Sequence, residues 1–250
     1  MHDKLYTVDE IAEILRTTPN TIYRWLRAGK LPGVKLGKEW RIKKETLTAL
    51  LAESNADTKG KQALWEKVDF HHNHVLAITR SQGSLYDLEA DFFKKGLEKK
   101  YRLFKGCWWQ HPDDVRTELS ARGLPVAELE SNNRLTIVNL TEQYRHFGVH
   151  GAVGAWAEEA TRTAAMGYKT MWGSGSPDVL SCGGQFAELI EFERTLDQVL
   201  NKLPVVGICP YLFLDMTDHH FAQITALMNQ HKSIIFNNNG TESLFRNELM

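Results

Sequence analysis

The sequence predicts an α/β chain of two unequal units: a small N-terminal helix-turn-helix head with a hairpin wing, and a larger α/β domain with a mostly parallel sheet. Three observations lead there. The chain has 250 residues, more than one typical domain of about 100–200 residues. Its charge is unevenly divided: ten Lys and Arg face six Asp and Glu up to Leu51, so a head of +4 precedes a remainder of −5. Beyond residue 70, short apolar runs alternate with helical patterns, as when strands are joined by helices crossing one sheet.

In the head, Thr7 and Glu10 have the spacing of a capping box, which predicts a helix beginning after Thr7. Val8, Ile11, Ala12, Ile14 and Leu15 give that helix an apolar stripe. Thr18 then caps a second helix whose first residue is Pro19, where a missing N–H costs nothing. Gly29 ends it. With Ile22, Trp25 and Leu26 facing inward, Asn20, Thr21, Tyr23, Arg24 and Arg27 are left for the outer face. Two short helices joined this tightly form a helix-turn-helix, whose second helix fits the major groove. Arg pairs with guanine and Asn with adenine, while Thr and Tyr hold phosphates. Val34-Lys35-Leu36 and Glu39-Trp40-Arg41-Ile42 flank Gly37-Lys38 as a hairpin wing, setting Lys35, Lys38 and Arg41 along the sugar-phosphate backbone. Lys43 to Leu51 closes the unit as a third helix.

The run Arg27-Ala28-Gly29-Lys30-Leu31-Pro32, followed by Leu36-Gly37-Lys38 and Trp40-Arg41-Ile42, resembles the excisionase/MerR-type winged helix-turn-helix. The likeness covers nearly all of residues 4–52 and implies double-stranded DNA as partner. The other reading of the same residues is a three-helix protein-interaction module with a basic surface.

Domain boundaries follow from composition: residues 1–52 as the DNA-binding head, 53–69 as a linker, 70–240 as the α/β domain and 241–250 as a C-terminal tail. In the linker, Leu64 and Trp65 are read either as the start of a dimerisation or docking segment or as side chains packed on the second domain. Strands are predicted at 74–79, 101–109, 135–140, 169–173, 205–213 and 233–237. Helices are predicted from Ser84, from Pro112 to Gly123, over 150–166, over 184–202 and from Thr217 to about Gln230. Ligands of such sheets bind beyond the carboxyl ends of the strands.

The chemistry at those ends is sparse. Thr79-Arg80-Ser81-Gln82-Gly83-Ser84 follows the first strand but lacks the lysine and paired glycines of a phosphate-binding loop. Gly173-Ser174-Gly175-Ser176 and Gly183-Gly184 match no dinucleotide pattern and read as turns. Cys107, Trp108 and Trp109 at one strand end and Trp172 at another are candidate walls of an apolar pocket, although neighbouring side chains on a strand face opposite ways. The histidines include His71, His72, His74, His111, His219 and His220, but no local spacing matches a metal site, so neither metal nor cofactor is expected. No local sequence orients a base toward Cys107 or Cys209, so no nucleophile is expected and the chain is read as not an enzyme.

His74-Val75-Leu76-Ala77-Ile78 with Phe92-Phe93-Lys94-Lys95-Gly96-Leu97, and later Leu189-Ile190-Glu191-Phe192-Glu193 with Pro204 to Tyr211, resemble the MEDS sensory domain. That family takes its name from methanogen and methylotroph proteins and a dichloromethane-responsive repressor. The likeness implies a RecA/KaiC-like α/β fold without a working nucleotide loop, sensing small organic molecules. It adds His74, Glu193, Cys209 and Tyr211 to the candidate ligand-binding residues. Ala77-Ile78-Thr79-Arg80 replaces the family's usual aromatic ending of the first strand.

The combined expectation is a one-component transcriptional regulator, binding DNA through the head and a small organic ligand through the body, and working as a homodimer. The competing class is an α/β hydrolase or transferase with a DNA-binding tether. No apolar run approaches the ~20 residues that span a bilayer, and the three scattered cysteines suit a reducing compartment. No membrane contact and a cytoplasmic location are therefore expected.

Overall fold

The computed structural model describes residues 5–14, 18–27, 31–37, 39–46, 64–66, 68, 74–175, 177–214, 218–238 and 241–247. The chain separates into two compact units, residues 1–61 and 62–250.

The first unit begins with strand β1 (Leu5–Tyr6), followed by helices α1 (Val8–Ile14) and α2 (Pro19–Arg27) and strands β2 (Val34–Leu36) and β3 (Glu39–Lys43). The capping box forms: the Thr7 amide donates to Glu10 Oε2 at 2.8 Å, and the Glu10 amide donates to Thr7 Oγ1 at 3.2 Å. Val8, Ile11 and Ala12 meet Ile22, Leu26, Leu31 and Ile42 in a small core. Ile14, expected in the apolar stripe, is 48% exposed, and Trp25 is only half-buried. Seven helical residues are too few to keep the whole stripe over so small a core. The wing is a hairpin in which Lys35 faces Trp40, with Gly37 in the left-handed region at φ 64°. Strand β1, which the sequence reading lacked, pairs with the other edge of β3. The third helix expected over 43–51 is described only as a helical turn at 44–46.

The second unit is a seven-stranded sheet in the order β10-β9-β4-β8-β7-β5-β6. Its strands are β4 (His74–Thr79), β5 (Arg102–Cys107), β6 (Leu135–Asn139), β7 (Met171–Ser174), β8 (Val205–Leu212), β9 (Ser233–Asn238) and β10 (Thr241–Arg246). All neighbours are parallel except β10, which runs antiparallel to β9. Residues 241–246, expected within a tail, are thus an edge strand. The helices are α3 (Gln82–Glu98), α4 (Pro112–Ala121), α5 (Val126–Ser131), α6 (Leu140–Ala165), α7 (Phe186–Leu200) and α8 (Asp218–Met228). The short α5 was not predicted, and α6 begins ten residues before the expected 150, bending at Gly148 (φ 61°, ψ −152°).

Strand alternation sends side chains to two cores. Val75, Ala77, Val206 and Ile208 join Phe92, Phe93, Val115 and Leu129 on the face covered by α3, α4 and α5. Leu76, Ile78, Cys209 and Tyr211 join Trp156, Leu189, Phe192 and Leu227 on the face covered by α6, α7 and α8. Leu64, Trp65 and Val68 belong to the first of these cores, with the Trp65 and Phe92 rings 5.2 Å apart. Of the two readings of this segment, packing on the α/β domain is the one observed.

Candidate functional site

The α/β domain has a cleft of about 300 Å³ beyond the carboxyl ends of its central strands. Pro210, Tyr211 and Leu212 contribute the end of β8 with Phe213 just after it, Trp109 follows β5, and Pro177, Asp178 and Val179 follow β7. Phe186 and Leu189 come from α7, with His220, Gln223 and Leu227 from α8. Carbon-rich walls with a few polar groups suit a small, mainly apolar molecule, and the volume lies at the low end for ligand pockets, about 300–1,000 Å³.

Beneath the cleft lies a buried polar cluster. In a strand, residues two apart share a face, so Cys209 and Tyr211 of β8 both point toward α7. His74 at the start of β4 lies on the same face and pairs in register with Gly207, where there is no side chain to crowd it. Glu193 sits in the inward stripe of α7 together with Leu189 and Leu196, and His231 lies two residues before β9. His74, Glu193, Cys209 and His231 are essentially inaccessible, from 0% to 2% exposed, and Tyr211 is 5% exposed.

The contacts are close. His74 Nε2 is 3.0 Å from Cys209 Sγ and 3.0 Å from Glu193 Oε2, and His74 Nδ1 is 3.4 Å from Asp197 Oδ1. His231 Nε2 is 3.5 Å from Glu193 Oε2, while its Nδ1 donates to the Leu227 carbonyl at 2.8 Å. The Tyr211 hydroxyl donates to Glu193 Oε1. Tyr211 therefore belongs to both features, with its ring in the cleft wall and its hydroxyl in the cluster.

Electrostatics follow from burial and these partners. Burial alone would raise the Glu193 carboxyl, but hydrogen bonds and charge from His231 and His74 outweigh it and hold the group well below its usual range. Burial pushes the Cys209 thiol up to about 12, helped by the Glu193 charge. Burial and the neighbouring His74 lower His231. Burial and Glu193 raise the Tyr211 phenol well above its usual value.

The sequence reading found nothing to orient a base toward Cys209, and the fold corrects that: His74, with Asp197 behind it, stands at hydrogen-bond distance. Cys209, His74 and Asp197 thus stand in line, with the His74–Asp197 link at ion-pair distance and not hydrogen-bonded. An activated cysteine needs a depressed pKa and an accessible sulfur, and this thiol is raised and 0% exposed. These atoms are instead disposed as ligands. One donor atom each from His74, Glu193, Cys209 and His231 all lie within 4.8 Å of one another.

The remaining ligand-binding candidates divide. Trp109 lines the cleft. Trp108 points into the core beside it, its ring 5.0 Å from Phe192 and 5.7 Å from Tyr144. Trp172 stacks between Phe92 and Tyr101 on the opposite face of the sheet, and Cys107 is buried in that same core. Neither is among the residues lining the cleft. His231 was not singled out from sequence, because it stands alone in a turn 38 residues beyond Glu193. His71 and His72 lie outside the described residues, as does the side chain of His219.

In the head, Thr18, Asn20, Tyr23, Arg24, Arg27 and Lys35 are exposed, and Thr21 and Arg41 are half-buried. Thr18 acts as the cap of α2, its Oγ1 accepting from the Thr21 amide at 3.4 Å and lying 3.1 Å from Thr21 Oγ1. Arg27 Nε donates to the Tyr23 carbonyl at 3.2 Å. Arg41 pairs with Glu39 across 2.5 Å. Lys38 lies outside the described residues.

Comparison with known proteins places both units. Residues 73–232 match MEDS, the MEthanogen/methylotroph, DcmR Sensory domain, and residues 5–55 match a helix-turn-helix domain. Two putative DNA-binding proteins of Mycobacterium tuberculosis, from strains CDC 1551 / Oshkosh and ATCC 25618 / H37Rv, are each 33% identical over 54 residues, which is 22% of this chain and 69% of theirs. The crystal structure of a KaiC-like protein from the archaeon Pyrococcus horikoshii OT3 superposes with a TM-score of 0.51 at 14% identity, covering 69% of this chain and 76% of that one. At that identity the likeness concerns the fold alone. It agrees with the RecA/KaiC-like sheet expected from sequence. No helix among the described residues is long and apolar enough to cross a membrane.

Proposed function

Because the chain belongs to the MEDS sensory-domain family and carries a helix-turn-helix domain, we propose that it is a ligand-responsive one-component transcriptional regulator. The head binds double-stranded DNA, with Asn20, Arg24 and Arg27 reading bases in the major groove and Thr21, Tyr23, Lys35 and Arg41 on the backbone. The body takes a small organic molecule into the cleft bounded by Trp109, Tyr211 and Phe213. The protein acts in the cytoplasm as a homodimer, because two heads on half-sites about 34–36 Å apart multiply the specificity of one.

The observation that carries this reading is the cleft itself: an apolar hollow at the strand ends, where open α/β sheets hold ligands. The loop after β4 lacks the lysine that a nucleotide would require. A ligand changes DNA affinity only by the difference in its own affinity for the two arrangements of the protein. The test is a thermal-shift screen of the full chain against one- and two-carbon halocarbons, alcohols and amines, with mass spectrometry of whatever co-purifies. A compound that raises Tm for the wild type and not for Trp109→Ala, and that changes affinity for DNA flanking the gene, is the expected result. DNA affinity that is the same with every bound compound and in every cleft variant contradicts the proposal.

A further inference from the structure

We propose that His74, Glu193, Cys209 and His231 form a closed binding site for one divalent cation of the zinc class, built into the core of the α/β domain. The first argument is geometric. Ligand atoms around tetrahedral zinc lie roughly 2.0–2.3 Å from the metal and so roughly 3.3–3.8 Å from one another. The four donor atoms here are all within 4.8 Å of each other, with three of their separations at 3.0, 3.0 and 3.5 Å. Small side-chain rotations bring such a set onto a tetrahedron.

The second argument is orientation. A histidine that ligates metal holds its outer nitrogen on a carboxylate or a carbonyl, which fixes the tautomer and turns the other nitrogen inward. His231 does so, and His74 points its Nδ1 at Asp197 Oδ1 at 3.4 Å without closing a hydrogen bond. A carbonyl only accepts, so His231 Nδ1 carries the proton that reaches Leu227, and Nε2 presents a bare lone pair to the cluster. His74 sets Nδ1 toward Asp197 and Nε2 toward Cys209 and Glu193. Glu193 is steadied in the same way, its Oε1 accepting from Tyr211 while Oε2 points inward.

The third argument is what protein atoms leave unmet. Glu193 Oε2 and His231 Nε2 face each other at 3.5 Å without a well-formed hydrogen bond to any protein group, and both residues are 0% exposed. Buried polar atoms are almost always satisfied, and these two unmet atoms face the same point. Metal binding releases the Cys209 proton and any proton on His74, and the resulting two neutral imidazoles, thiolate and carboxylate carry two negative charges, which a divalent cation cancels. One sulfur and two nitrogens among four donors favour zinc over magnesium or calcium, which take oxygen. All four positions come from protein, so the site holds structure and leaves none open for chemistry. It ties the start of β4, the middle of β8, helix α7 and the turn into β9, and through Glu193 it fixes the tyrosine that walls the cleft.

The test measures metal in the full-length chain, purified without a metal-affinity step and dialysed. One zinc per chain by mass spectrometry is expected. After exchange with Co²⁺ a thiolate-to-cobalt charge-transfer band is expected, lost in Cys209→Ser and kept in Cys182→Ser. If Cys209→Ser fails to fold, the band in the wild-type protein decides alone, since it requires a thiolate ligand. A chain that purifies without metal and binds neither Zn²⁺ nor Co²⁺ overturns the proposal. So does cobalt bound without the thiolate band, or binding that Cys209→Ser leaves unchanged.

Discussion

Tyr211 donates its hydroxyl proton to Glu193 Oε1 while its ring forms part of the cleft wall. One side chain thus joins the cavity at the strand ends to the polar cluster below it. Removing the hydroxyl in Tyr211→Phe leaves a fully buried carboxylate oxygen without that donor, a loss of about 1–3 kcal/mol. The variant is expected to keep its fold and to melt about 2–10 °C lower in calorimetry. An unchanged Tm contradicts the linkage.

A second prediction concerns the wing. A Cβ on Gly33 would lie 2.6 Å from Leu26 Cδ2, 3.2 Å from Trp40 Cε3 and 3.3 Å from the Arg41 carbonyl oxygen. Leu26 is at the end of the proposed recognition helix and Trp40 and Arg41 are in the wing, so Gly33→Ala forces them apart. Overpacking of this kind costs about 1–3 kcal/mol. Amide exchange of the first unit should accelerate and DNA affinity should fall, while the α/β domain keeps its melting temperature.

Thiol titration supplies a pH prediction. Burial raises the Cys107 thiol to about 11 and the Cys182 thiol to about 12, from an ordinary value near 9. The folded chain therefore holds protons that the unfolded chain releases. The stabilisation is complete below pH 9 and is lost as pH climbs from 9 through 11 for Cys107 and through 12 for Cys182. Denaturant midpoints should fall across that interval, and native Cys107 and Cys182 should resist iodoacetamide from pH 6 to 9 while reacting readily in urea.

Arg102 offers a fourth. This fully buried side chain on β5 donates to Glu159, to Thr163 Oγ1 at 3.1 Å, to Thr136 Oγ1 at 2.6 Å and to the Asn133 carbonyl at 2.7 Å. Glu159→Ala strands the guanidinium charge in the interior, and losing one partner of a buried pair costs about 3–5 kcal/mol. Urea denaturation measures it. A loss below about 1 kcal/mol would place the pair in the weak, solvent-screened class.

Much of this architecture was legible because local rules governed it. The capping box of Thr7 and Glu10, the Pro19 start of α2 and the Gly37 wing turn act over a few residues, and each forms as read. The parallel strands were readable from runs such as His74–Thr79, which are buried on both faces. The N-terminal part of α6 was missed because Gly148 interrupts its pattern, and β10 because an edge strand with exposed Ser243 and Phe245 resembles a tail. Trp172 was legible as an unusual residue but not by its direction, since the side of the sheet is set by strand register. The polar cluster was only partly visible. Cys209 and Tyr211 share a strand and Glu193 lies in a helical stripe, but His231 joins them only once β9 has paired with β4.

The central claim is that α2 reads DNA, and competition binding of the full chain to DNA flanking its gene, against random duplex at moderate salt, tests it most directly. The account predicts a preference of at least about 10³-fold for the wild type. In Arg24→Ala that preference drops by about 1–3 kcal/mol, the worth of one bidentate base contact. Equal affinity for genomic and random DNA, or an Arg24→Ala variant that binds as the wild type does, would contradict it.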